Sequence, residues 1–557
     1  ELVRPARVSS MEGAREYSFW HLLVRDVAYG QIPRRDRAQK HVAVARWLEE
    51  TVGERVADQA ELLAHHYTEA LRLSRASGEG DLTELTASTR RVLQLAGERA
   101  GRLDVPRAVS YYESALALWP ETEPERLWAA CELTRLLSEV GRAEEARDLG
   151  ERELAALEDR ADPVAIGSLR SLLGHIYFNL GDLDSAHSAV EQSVSLLEHQ
   201  PPTPELVYAY GRMGGREMFF EHWAAAIEIC GKAIALAEEL GVDESQVNLA
   251  RQMQSVSRIG SGDLAGFEQL EDAIERAEAE GLSAVSVAYV NLGSCRLWAS
   301  GPEPALEAYA RALDHSRRRG TWSLHRWAQA ESLWALYDLG RWDEVLRVGD
   351  ELLAEGVSGQ VAAMVQPMRA RVLLQRGDLD SAAAACASVL PLVREIGIPQ
   401  VLGPALPVAA SIAAARKDRD EALELLRELV DRGRDFPGLR VWYLGDSVRA
   451  AVAIGDRALG ERLMADIEPA LEREVNAVLG GQAIVAEAAG DAARATELFR
   501  RAAERWGAYG GVVERAHALA GLGRCAGDDR AAAEARSIFA SLGMQAPRAP
   551  LSDAATA

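Results

Sequence analysis

A chain of 557 residues with 48 % hydrophobic content is long enough to bury a large core, and its formal net charge of −23 limits what it can bind. With 62 basic against 85 acidic residues, it lacks the basic footprint needed to displace counterions, which argues against direct binding to nucleic acid or to anionic membranes. The acidity reads as solvated outer helix faces that keep a large protein in solution. Five cysteines, Cys131, Cys230, Cys295, Cys386 and Cys525, lie far apart with no Cys-x-x-Cys and no neighbouring histidine pair. They read as buried thiols of a reducing compartment, not as a zinc site or a disulfide framework. There is no apolar run of about 18 residues and no signal peptide, so no membrane partner is expected and a cytoplasmic location is.

In chain order, the sequence opens at Glu1 and not at a methionine, which raises the expectation of an upstream portion. Residues 15 to 29 read Arg-Glu-Tyr-Ser-Phe-Trp-His-Leu-Leu-Val-Arg-Asp-Val-Ala-Tyr. Behind them come a basic run at Arg34, Arg35 and Arg37, then His41, Trp47 and Leu48, then Ala64, His65, His66 and Tyr67. In order and spacing this stretch resembles the end of the winged-helix module in STAND ATPases, the signal-transduction ATPases with numerous domains. Their string often runs Phe-x-His-x-Leu-Val-Arg-Asp-x-Ala-Tyr, and Trp20 departs from it where arginine is usual. The resemblance implies an upstream nucleotide-binding domain as partner, ATP or ADP as cofactor of the intact protein, and a cyclase or transcription-regulator output. It also implies that His21 senses the nucleotide in the intact protein; the plainer reading is that Phe19, His21 and Leu23 pack the small domain. No phosphate loop of the form GxxxxGK[S/T] occurs here, so no cofactor and no ATP hydrolysis are expected of this chain by itself.

The expected organisation is a winged-helix tail over residues 1–35, a helical connector over 36–80, repeats over 81–545 and a disordered tail over 546–557. Within the connector, residues 74–81 are the best linker. Glu61, His65 and Glu69 share one helical face at a spacing that could offer metal ligands, but a lone helix supplies too few, and no metal is expected.

The repeats organise the rest. Residues 173–186 read Leu-Gly-His-Ile-Tyr-Phe-Asn-Leu-Gly-Asp-Leu-Asp-Ser-Ala, in which Gly181 is a helix stop, Asp182 starts the next helix, and small Gly174 and Ala186 let two helices approach. The turn recurs near residues 103, 141, 181, 220, 262, 301, 340, 377, 417, 455, 490 and 527, a period of roughly 39 within the range of helical-hairpin solenoids. Leu173, Gly174, Tyr177 and Ala186, and in part Leu292, Gly293, Ala305, Tyr309 and Ala312, resemble tetratricopeptide repeats (TPR). The period exceeds that family's 34, and several copies lack the central glycine. The expected fold is all-α: a TPR-like right-handed superhelix of about 12 degenerate repeats behind the winged-helix tail.

TPR superhelices bind on their concave face, so a protein or small-molecule effector is expected there. Trp298, Trp322, Trp327, Trp334 and Trp342 fall close together, with Arg317, Arg318, Arg319, His325 and Arg326 among them. Aromatics interleaved with arginines can stack on and neutralise an acidic or planar ligand, which nominates Arg319, Trp322, Arg326 and Trp327 as effector contacts. The competing reading is that these tryptophans fill hairpin interiors while the arginines complement a helix C-terminus. Arg440, Trp442 and Tyr443, beside the loop at 433–438, form a weaker candidate. The glycines at 260, 262 and 266 follow no strand and read as a repeat turn. There is no GxSxG elbow and no kinase signature, so the chain is not expected to be an enzyme. The sequence thus reads as the sensor or scaffold arm of a STAND-type ATPase, with a free-standing TPR adaptor as the alternative.

Overall fold

The computed structural model describes residues 2–5, 17–78, 80–120, 123, 125–158, 162–434 and 436–544. The tail expected at 546–557 lies outside these residues, as does the stretch 6–16 within the expected winged-helix end. The chain divides into two compact units, Glu1–Leu136 and Leu137–Ala557.

In the first unit, Val3–Pro5 pairs antiparallel with Tyr17–Phe19, placing Val3 opposite Phe19. His21 then caps the helix Leu22–Gln31, its Nδ1 accepting the Leu23 N–H at 3.2 Å. Helical packing begins at Arg34–Val52, which lies against Ala60–Ala76; that helix packs on Thr83–Gly101, and this one on Val105–Leu116. Ala38, Ala45 and Leu48 face Leu63, Ala64 and Tyr67 in a core of small and branched side chains. Tyr67 keeps its polar end satisfied by donating to Glu49 Oε2 at 2.7 Å.

The second unit repeats one motif. From Pro163 to Ser541 the helices form ten hairpins, whose first helices begin at Pro163, Pro204, Glu244, Ala284, Trp322, Gly359, Pro399, Leu444, Glu472 and Val512. The spacing is again roughly 39 residues. Each interhelix turn places one residue at positive φ, a glycine in eight of the ten and Glu221 or Lys417 in the other two. Glycine is favoured there because a Cβ would collide with the following carbonyl, and in six of the turns the next residue is an aspartate that caps the second helix. Gly181 has φ 87° and Asp182 accepts the Ser185 N–H at 3.1 Å; Gly377 with Asp378, and Gly490 with Asp491, repeat the pair. Close approach within a hairpin explains Gly174 and Gly293: a Cβ on the first would lie 2.6 Å from Val190, and on the second 2.6 Å from the Tyr309 ring. The all-α hairpin solenoid expected from the sequence is the fold observed. The Tyr177 hydroxyl donates back to Glu151 of the preceding helix at 2.8 Å.

The repeats also meet far beyond their neighbours. Glu221 accepts the N–H of Gly438, 217 positions on, and the Tyr509 hydroxyl donates to the Leu297 carbonyl, 212 positions back. Ile396 packs over Gly181, and Ala470 over Gly262. At roughly 39 residues per hairpin, separations of this size place between five and six hairpins in each superhelical turn. Within this unit, successive superhelical turns therefore touch, and one apolar core runs continuously from Val207 to Leu542. Glu221 illustrates the constraint. It holds a left-handed φ of 58° where most repeats have glycine, a strain offset by its carboxylate bond to the next superhelical turn. Replacing Gly181 by Val should cost about 1 to 3 kcal/mol in urea unfolding, because it adds backbone strain and crowds Ile396; an unchanged unfolding curve would show the turn register to be different.

Candidate functional site at the inner face of the repeats

First helices of hairpins far apart in sequence contact one another within the second unit: Ala284–Ala299 meets Glu472–Ala488, and Trp322–Asp338 meets Val512–Ala526. What they bring together is an array of buried arginines, carboxylates and aromatic rings. Arg371 Nη2 lies 2.6 Å from Asp446 Oδ2. Arg449 bridges Asp446 at 2.6 Å and Glu514 at 2.6 and 2.9 Å. Arg473 pairs with Asp338 and donates to the Tyr509 hydroxyl at 3.3 Å. The guanidinium of Arg371 sits 3.8 Å from the Tyr337 ring centre and 4.7 Å from that of Tyr443, and Arg473 sits 5.6 Å from Trp442. Trp334 and Trp298 close on Trp442 at 5.2 and 5.5 Å.

This arrangement balances three cations, Arg371, Arg449 and Arg473, against three anions, Asp338, Asp446 and Glu514. Burial alone would push the acids toward neutrality. It is outweighed by Arg371 and Arg449 at Asp446, and by Arg449 at Glu514, and both carboxyls are held below their usual range. His517, beside them, is pushed down to about 3 by burial and by Arg449, so it stays neutral. Among the described residues Glu331 has only neutral partners. It accepts from Ser294 at 3.3 Å and from Gln400, and burial raises it to about 7. The inner face is thus occupied by the chain's own side chains.

The residues nominated from sequence scatter around this array. Arg319 is buried and donates to the Gly281 carbonyl at 2.8 Å. Arg326 Nε pairs with Glu355 at 2.9 Å. Trp327 packs partly buried against the core, whereas Trp322 opens the helix Trp322–Asp338 with 40 % of its surface exposed. Only Trp322 and Arg326, four residues apart on one helix, share a solvent-facing side. Trp342 is fully buried and stacks on Tyr337 at 5.3 Å. The weaker candidate proves the more central: Trp442 and Tyr443 stand in the middle of the array, and Arg440 caps the helix Arg457–Met464 by donating to the Ala465 carbonyl at 2.9 Å. The sequence holds little sign of Arg371, Arg449 and Arg473: the first two stand among apolar residues of a first helix, but Arg473 lies between Glu472 and Glu474 and has no such mark.

In the first unit His21 is exposed at its helix cap. The supposed metal-ligand face divides. Glu61 pairs with Arg107 at 2.8 Å and Glu69 with Arg72 at 2.7 Å, while His65 turns toward His41 and His66.

No protein-family model matches the chain, and no curated protein is similar to it. Among solved structures it is similar to a Rap protein complexed with competence and sporulation factor, at 13 % identity and TM-score 0.43, covering 65 % of this chain and 98 % of that one. A STAND protein with a tetratricopeptide repeat sensor from Pyrococcus horikoshii is similar at 15 % identity and TM-score 0.36, over 68 % of this chain and 56 % of that one. The APC/C hetero-tetramer Cut9-Hcn1 is similar at 15 % identity and TM-score 0.40, over 83 % of this chain and 88 % of that one. Likenesses this loose say nothing of what the chain binds. Among the described residues no helix is long and apolar enough to cross a membrane.

Two outcomes are expected of the inner array. Asp338→Asn leaves Arg473 buried without a counter-charge and should lower unfolding free energy by about 3 to 5 kcal/mol, while Asp338→Leu combined with Arg473→Met should recover most of it. Glu331 has its folded pKa raised from 4.5 to about 7, so its protonated form favours the fold below 4.5, and that advantage is lost as pH rises through 7. Glu331→Gln should therefore be more stable than the parent above pH 7, on the order of 1 to 3 kcal/mol, with the difference vanishing in acid; thermal melts at both pH values check the sign.

Proposed function

We propose that this chain is the sensor and scaffold arm of a STAND-type signal-transduction ATPase, which binds a protein or small-molecule effector and relays the event to an upstream nucleotide switch and its output domain. The observation that carries this reading is the apolar surface of the N-terminal segment. Leu2, Tyr17, Trp20, Leu22, Leu23 and Val27 are all exposed, Trp20 by 68 % and Leu23 by 67 %. They lie on and beside the residues whose order resembles the end of a STAND winged helix. Clustered exposed apolar side chains of this kind mark a surface that a partner covers, and the resemblance supplies a nucleotide-binding domain as that partner. His21 turns Nδ1 to its own helix, so Nε2 is the ring atom a nucleotide would meet.

For the effector, the filled inner face favours the solvent-facing pair Trp322 and Arg326 at the start of their helix. Relay requires only that the effector or the nucleotide state interact differently with two arrangements of the arm.

The test is made on the full reading frame that contains this chain. A phosphate loop encoded upstream is expected, and Leu23→Asp with Val27→Asp should abolish the effector response of ATP turnover while leaving the arm's helical content unchanged. A frame without a phosphate loop would make the chain a free-standing adaptor, and variants that respond as the parent does would remove the apolar face from the account. Trp322→Ala should weaken effector binding about tenfold or more in calorimetry, whereas Trp327→Ala should act mainly on stability.

A further inference from the structure

The first unit gathers three imidazoles that the sequence keeps on separate elements. His41 comes from the helix Arg34–Val52, and His65 and His66 from the antiparallel Ala60–Ala76. His41 Nδ1 lies 2.9 Å from His66 Nδ1, and one ring nitrogen from each of the three lies within 4.8 Å of the others. The ring centres are 5.1 Å apart for His41 and His66, 5.2 Å for His65 and His66, and 6.0 Å for His41 and His65. Behind His41, its Nε2 is hydrogen-bonded to the Tyr29 hydroxyl at 2.8 Å. That bond fixes the ring so that Nδ1 points into the cluster, as an outer-shell partner does for a metal-bound histidine.

We propose that His41, His65 and His66 form a binding site for a divalent first-row transition ion, with zinc as the foremost candidate. Zinc holds histidine nitrogens at about 2.0 to 2.1 Å and accepts three histidines with a fourth position open to water or substrate. Ligand nitrogens around such an ion stand roughly 3.3 Å apart; the His41–His66 pair needs only a slight separation, and exposed His65 is free to swing inward. His65 and the half-buried His41 and His66 leave the remaining position facing solvent. Oxygen-seeking ions such as magnesium and calcium are disfavoured by an all-nitrogen donor set. Because Tyr29 belongs to the helix Leu22–Gln31, the bound ion would tie that helix to the first helical pair, where the winged-helix resemblance ends.

The experiment is calorimetric titration of the metal-free chain with Zn2+ alone, with Co2+ absorption as a second readout of nitrogen coordination. One ion per chain is expected. His65→Ala should lower affinity by about tenfold or more, and because this side chain is exposed the variant should keep the parent's circular dichroism. His41→Gln should do the same, and His199→Ala, a histidine of the second unit, should leave binding unchanged. Absence of stoichiometric binding, or equal affinity in His65→Ala and the parent, would overturn the proposal.

Discussion

The second unit depends on charge pairs that reach across its inner face. A helical-hairpin solenoid is ordinarily held by nearest-neighbour packing, so each repeat answers only to the next. Here Arg473 with Asp338, Arg371 with Asp446, and Arg449 with Glu514 join first helices separated by one or more whole hairpins. Buried pairs of this kind add little net stability compared with apolar packing, but losing one partner is costly. Their effect is to specify which helices meet. The apolar core supplies the cohesion; the pairs fix how tightly the superhelix winds.

Tight winding has a functional consequence. With Trp298, Trp334, Trp442 and the arginines stacked on aromatic rings filling the space between first helices, the proposed effector is left with outer and edge surfaces, the proposed Trp322 and Arg326 pair among them. Glu331, raised to about 7 by burial, links Ser294 and Gln400 and makes the fold less stable as pH rises through 7.

The local part of this structure was legible in the sequence, and the long-range part was not. Gly181 followed by Asp182 announces its own turn, because the left-handed backbone and the side-chain cap are both decided within four residues. The same holds at Gly377 and Gly490. Trp322 and Trp327, five residues apart, stand about 140° apart around a helix, and one is exposed while the other packs inward. By contrast, the partners of Arg473, Tyr509 and Glu221 lie 135 to 217 positions away, and no local pattern encodes a superhelical pitch. The histidine cluster was hidden for a related reason. His65 and His66 are neighbours in sequence, but His41 joins them only once the antiparallel pairing of two helices is known.

The claim that successive superhelical turns touch is tested most directly by a distance measurement across them. Spin labels at Leu264, which is exposed beside Gly262, and at Glu468, beside the Ala470 that packs on Gly262, can be placed in a chain whose partly accessible Cys131 and Cys525 are replaced by serine. The account predicts a short separation with a narrow distribution, broadening in Asp338→Asn. A long or broad distribution in the parent chain would mean that the superhelix is open, and that its inner face is available to a ligand after all.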